Sequence, residues 1–205
     1  DTDCEDSSFK LALDRFFRQK GLELFSRLQS QMSDPLLFLN IAPSILDGAV
    51  VGSGHLLRQV GELGLDPQQI ILQLSLGRDW NRPLVEKFIR FQQQNGFVIA
   101  LKDVDTNRGR LEAVFRIHPD ILKVTDRLTR GLARKAERQD DFLGVVKQAH
   151  GLGISVMAGG LEGEEDALKA LEYGADLLQG GYFTRNYGDN AVLDLGRKAR
   201  MMFLA

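Results

Sequence analysis

Six short apolar runs with no polar alternation constrain this chain more than any other feature. They are Leu36 to Ile41 ("LLFLNI"), Ile70 to Leu74 ("IILQL"), Phe97 to Leu101 ("FVIAL"), Ile121 to Val124 ("ILKV"), Ile154 to Met157 ("ISVM") and Ala175 to Leu178 ("ADLL"). A strand with one wet face alternates apolar and polar residues, whereas a strand covered on both faces is apolar throughout. Between the runs lie helix-period segments such as "NRPLVEKFIRFQQQ", "DDFLGVVKQAHGLG" and "EGEEDALKALEYG". The last has acids in its first turn and a glycine at its end, which suit the helix dipole and a left-handed terminating residue. A repeated strand–helix unit predicts an α/β fold with a parallel sheet and helical crossovers, either a TIM-type barrel or an open doubly wound sheet. Ahead of the first run, "SSFKLALDRFFRQKGLELFSRLQSQM" reads as one or two amphipathic helices. Residues 1–7 read as a disordered or linker N-terminus and residues 8–205 as one domain, since no low-complexity stretch divides them.

Composition narrows the function classes. The 205 residues are 43% hydrophobic and 26% charged, typical of a soluble globular chain. No segment approaches the roughly 18 consecutive apolar residues of a membrane span, and no signal-peptide pattern opens the chain. A formal charge of −2 provides no basic field for nucleic acid. Arg127, Arg130, Arg134, Lys135 and Arg138 make a local basic stretch at helical spacing, read as a solvated helix face. Cys4 is the only cysteine, which excludes an internal disulfide and a cysteine-rich metal site and fits a cytoplasmic protein.

In a parallel βα fold the polar residues at strand ends gather on one face. Here they are Asn40, Gln73, Ser75, Lys102, Asp103, Lys123, Thr125, Gly159, Gly160 and Gln179, a polar set poor in acids. Each has a plainer role open to it: an Asx-turn for Asn40, a structural ion pair with Asp103 for Lys123, a tight turn for Gln179 and its glycines. His55, His118 and His150 lack mutual spacing for a metal, and Trp80, Phe88 and Phe91 fall at helix spacing expected of core.

Five of these strand ends, in order from about Ser8 onward, resemble the EAL domain, the bacterial phosphodiesterase module that linearises cyclic di-GMP. "FLNIAPSIL" is similar to its asparagine signature, "IALKDVDT" to its paired-aspartate strand and "PDILKVTDRL" to its D-x-x-K-I-D segment. "VMAGGLEGEEDALKALEYGAD" is similar to its A-E-G-V-E-T segment, and "LLQGGYF" to its terminal QG-Y-F. The resemblance implies a TIM-type barrel of the EAL kind. Matched position by position, Asn40 and Asp103 stand for metal ligands, Lys123 for the catalytic lysine and Gln179 for a glutamine near the metals. These four are the candidate ligand-binding residues, and Asn40 and Asp103 are remnant metal positions.

The other functional positions depart from the family. Gln73 and Leu76 stand where the resemblance implies glutamates, Lys102 where it implies the first aspartate, Gly159 where it implies the A-E-G glutamate, and Thr125 where it implies the aspartate after the lysine. Two divalent ions need several carboxylates to hold them, and Mg²⁺ in particular wants hard anionic oxygens, so no metal and no cofactor are expected. The family barrel begins with two strands not visible here, the second bearing the Glu-Ala-Leu glutamate. The chain then starts inside the domain, or a partner or an unread N-terminal segment closes the barrel, or the sheet stays open with exposed edges.

Three functions follow. A catalytically inactive EAL-like module, regulating through other signalling protein domains and with a homodimer open to it, comes first. A cyclic di-GMP receptor that does not hydrolyse its ligand comes second, with binding expected to be weak or absent. A TIM-barrel phosphate-binding enzyme using "GADLLQGGYF" comes third. No nucleic acid and no membrane are expected as partners of this chain.

Overall fold

The computed structural model describes residues 2–31, 35–41, 54–75, 81–104, 108–187, 192–194 and 202–204. Side chains of 2–11, 14, 103–104, 108–110, 184 and all from 186 onward lie outside that description. A long helix, α1 (Thr2–Leu28), opens the chain, beginning inside the polar 1–7 stretch. The six apolar runs all become strands: β1 (Leu36–Ile41), β2 (Ile70–Ser75), β3 (Val98–Val104), β4 (Ile121–Val124), β5 (Ser155–Ala158) and β6 (Leu177–Gln179). The helices between them are α2 (His55–Glu62), α3 (Arg82–Gln94), α4 (Arg108–Ile117), the short α5 (Asp126–Thr129), α6 (Ala136–Gly151) and α7 (Glu164–Glu172). Neighbouring strands from β1 to β6 pair in parallel and in chain order.

Two further strands were not legible in the sequence. After α8 (Gly181–Tyr187), β7 (Val192–Asp194) pairs antiparallel with β6, and β8 (Met202–Leu204) pairs parallel with β1 through Leu36 opposite Met202 and Phe38 opposite Leu204. Among the described residues the sheet therefore has eight strands, in the order β7-β6-β5-β4-β3-β2-β1-β8, with β7 and β8 lying against each other. No strand precedes β1 among the described residues, as the strand count from the resemblance implied. The chain covers both sheet ends with its own C-terminal segment, an arrangement absent from the three expected from sequence. "AVLDLGRKARMMFLA" hides these strands because each is three residues long and a charged stretch separates them.

Strand periodicity sorts the core into two layers, since successive side chains point to opposite faces. Outward residues such as Leu37, Leu39, Leu72, Leu74, Ile99, Leu122 and Val156 pack with the helices in the main core. Inward residues Phe38, Ile71, Ala100, Ile121, Met157 and Leu177 form a separate cluster inside the sheet's curve. Burying a large aliphatic or aromatic side chain contributes about 1.5–3 kcal/mol, and both layers are almost completely dry. At the N-terminal rim, Asp120 and Asp176 repeat one device: their carboxylates accept from the N–H groups of Ile99 (2.8 Å) and Val156 (2.7 Å) on the preceding strands.

Candidate functional site

The site lies one step above the inner apolar cluster. Two residues on from each inward apolar side chain come Asn40 after Phe38, Gln73 after Ile71, Lys102 after Ala100, Lys123 after Ile121, Gly159 after Met157 and Gln179 after Leu177. Equal parity on parallel strands puts all six on the inner face at the C-terminal ends. Ser75 joins them at the end of β2, opposite Lys102. That two-residue step is a signal readable in the sequence, but only once the strands are known to be parallel and in register.

Asp103 breaks the parity, and the backbone resolves the conflict. Leu101 pairs with Leu122 and Val104 with Val124, so residues 102 and 103 of β3 together face the single residue Lys123 of β4. This is a β-bulge, the irregularity by which a strand re-aims its side chains. The side chain of Asp103 lies outside the described residues, as do Leu76, Trp80 and the loop after Ile41.

A hydrogen-bonded set links three strands at this rim. Gln73 Nε2 donates to Asn40 Oδ1 at 2.9 Å, and Lys102 Nζ donates to the same oxygen at 3.2 Å. An ammonium has only donors, so the Asn40 atom facing it must be the carbonyl oxygen, and Gln73 must then present its amide nitrogen. Gln73 is 3% exposed, and its buried Oε1 has no hydrogen-bond partner among the described residues.

Gly159 and Gly160 differ in kind. A Cβ placed on Gly159 would lie 2.8 Å from Lys123 Cε, so the lysine stem fills the space that a side chain at 159 would use. Gly159 O accepts from the buried Thr129 Oγ1 at 2.6 Å. Gly160 has φ +71°, and its Cβ would lie 2.5 Å from Asp126 Cβ and 3.1 Å from Asp126 Cα. Sequence reasoning singled out both glycines but missed Thr129, which fixes the loop from the neighbouring α5.

The turn after β6 is closely packed. A Cβ on Gly180 would lie 2.0 Å from Leu161 O, and Leu161 O already accepts from Tyr182 N at 3.0 Å. Glu162 stands against Gly181 and pairs with Arg185 at 3.1 Å. This ion pair occupies the space beside Gly181 where a phosphate would sit. Phe88 is buried and Phe91 half-buried, His55 and His118 are exposed, and His150 meets Asp176 at 2.8 Å at the opposite end of the strands.

The described rim residues do not fit a two-metal centre. Both lone pairs of Asn40 Oδ1 are engaged by donors, and among the described residues no group of three or more His, Cys, Asp or Glu could hold a metal ion.

A curled, mostly parallel eight-stranded sheet with polar residues gathered at its C-terminal rim defines a TIM-type barrel with its site at the strand ends. The chain belongs to the EAL domain family, whose model matches residues 2–186. It is 21% identical to the blue light- and temperature-regulated antirepressor BluF of Escherichia coli over 174 residues, 82% of this chain and 42% of that protein. Among solved structures, Klebsiella pneumoniae BlrP1 in its manganese/cy-diGMP complex superposes with a TM-score of 0.74 at 23% identity, covering 84% of this chain and 44% of that one. The Xanthomonas citri FimX EAL domain in complex with c-diGMP gives 0.77 at 17% identity, covering 87% and 70%. The chain spans less than half the length of the curated relatives it matches. Among the described residues no helix is long and apolar enough to cross a membrane.

Proposed function

We propose that this chain is a catalytically inactive EAL domain that works as a regulatory or protein-interaction module in bacterial cyclic di-GMP signalling in the cytoplasm. The observation that carries the reading is the closed set around Asn40. The one oxygen it could offer a metal accepts from Lys102 and Gln73, where the family pattern implies carboxylates. Phosphodiester hydrolysis by two metals needs anionic ligands to hold the ions and a metal-bound hydroxide to attack, and the described side chains at the strand ends supply amides and ammonium groups instead. The partners are other signalling protein domains, a second copy of the chain among them. The name of BluF, an antirepressor, supports work done through protein surfaces.

A second reading is a non-hydrolysing receptor, supported by the FimX EAL domain in complex with c-diGMP. Without metals, the two phosphates of the dinucleotide would rest on Lys102, Lys123 and backbone N–H groups. Lys102 is committed to Asn40, and among the described residues no aromatic occupies a strand-end position before Tyr182 to stack on a guanine. The expected affinity is no tighter than roughly 100 μM, about −5.5 kcal/mol. The phosphate-binding enzyme is the weakest reading, because the Glu162–Arg185 ion pair occupies its glycine turn.

Purified protein incubated with cyclic di-GMP and Mg²⁺ or Mn²⁺ is expected to leave the dinucleotide intact by ion-exchange chromatography. Metal-dependent release of the linear product above a protein-free blank would overturn the first reading. Calorimetric titration separates the first two readings: submicromolar affinity abolished by Lys123→Ala would establish the receptor.

A further inference from the structure

We propose that the ammonium of Lys102 is the resident cation of this rim, held by Asn40 Oδ1 in the role that a divalent ion would otherwise take. The inference rests on the reading of the chain as a metal-free EAL domain and specifies what stands in the metal's place.

Three observations converge on it. The bulge in β3 between Leu101 and Val104 leaves Lys102 with the inward parity of Ala100, so its stem rises over the inner apolar cluster toward the rim. Its Nζ then reaches Asn40 on β1, two strands away, at 3.2 Å. Gln73, on the strand between them, is buried and donates to the same oxygen at 2.9 Å, fixing the asparagine with its carbonyl toward the lysine. A cation that only donates and an oxygen that only accepts make a matched pair. Lysine suits this role because its charge is a compact point on a flexible stem, close in character to a small hydrated cation. The same geometry repels a second cation, since a dication bound at Asn40 Oδ1 would sit against the ammonium. Metal ions are therefore excluded by an occupant as well as by missing carboxylates.

The test is a gain of function in metal binding, read by the electron paramagnetic resonance signal of free Mn²⁺ and by the shift in thermal midpoint with and without Mn²⁺. The wild-type protein is expected to leave the Mn²⁺ signal and its midpoint unchanged. Lys102→Asp removes the resident cation and adds an oxygen ligand, and is expected to bind Mn²⁺ at least tenfold more tightly than wild type. Lys102→Met, which removes the charge alone and keeps the apolar stem, is expected to show a smaller gain in the same direction, and it carries the test if the aspartate variant does not fold. Adding Asn40→Ala to either variant is expected to abolish the gain. Lys87→Asp on the exposed face of α3 makes the same charge change away from the rim and is expected to gain nothing.

If neither Lys102 variant binds better than wild type and Lys87→Asp, or if the gain survives Asn40→Ala, the role assigned to Lys102 fails while the metal-free reading stands. If the wild-type protein itself binds Mn²⁺ tightly, the metal-free reading fails and takes this inference with it.

Discussion

Two adjacent glycines show how little a residue type says without its surroundings. The Cβ that Gly159 lacks would meet the far part of a flexible lysine side chain, whereas the one Gly160 lacks would meet the Cα and Cβ of Asp126 in a left-handed backbone conformation. Gly160→Ala is therefore expected to destabilise the protein by at least about 2 kcal/mol, combining backbone strain with overpacking. Gly159→Ala, which asks only that Lys123 move aside, is expected to cost about 1 kcal/mol or less. Urea unfolding of the two variants measures the difference, and equal midpoints would refute it. From the sequence, Gly159 reads as a position vacated by a glutamate and Gly160 only as its strand-end neighbour; the placement of Lys123 and Asp126 around them is tertiary information.

Among the elements, α3 was the most legible. Asn81 caps it by accepting from Leu84 N at 3.3 Å, Pro83 opens it, and Val85, Phe88, Ile89 and Gln92 form its buried stripe. On its outer face Glu86 accepts from Arg82 at 2.7 Å and from Arg90 at 3.1 Å, a ladder with spacings of four residues. The bond from Arg82, aided by the charges of both arginines and opposed by some desolvation, holds the Glu86 carboxyl below its usual range. A carboxylate with a depressed folded pKa contributes stability above its unfolded pKa of about 4.3 and loses that contribution as pH falls through the folded value. Glu86→Gln is expected to cost about 0.5 kcal/mol near neutrality and to be indistinguishable from wild type once both are fully protonated at low pH. Urea midpoints of the pair across the acid range check this, and a difference that persists in acid would contradict it. By contrast, β7 and β8 carried no periodic signal, because three-residue strands are shorter than any window in which alternation can be read.

At the scale of the molecule, the sheet has ends that something must cover. β8 takes the open side of β1 and β7 the open side of β6. An unpaired strand edge is a template for association with another chain. Truncation after Tyr187 removes both covering strands and is expected to produce concentration-dependent aggregation, measured by light scattering coupled to size exclusion. A truncated protein that stays as monodisperse and as stable as the full chain would show that the two strands contribute nothing to closure.

The sequence by itself determined the layered α/β fold, the six consecutive parallel strands and the polar rim at their C-terminal ends. Hydrophobic burial on both strand faces is a local, periodic requirement that composition along the chain must satisfy. It also pointed to Asn40, Lys102, Lys123, Gly159 and Gln179, because parallel strands send their C-terminal residues to one place. The tertiary structure alone decided which of these residues touch. The contact of Lys102 with Asn40 spans 62 positions of sequence and crosses a strand that lies between them. Sheet closure likewise depends on pairing between the C-terminal residues and the first strand, a contact across the length of the chain that no local pattern encodes.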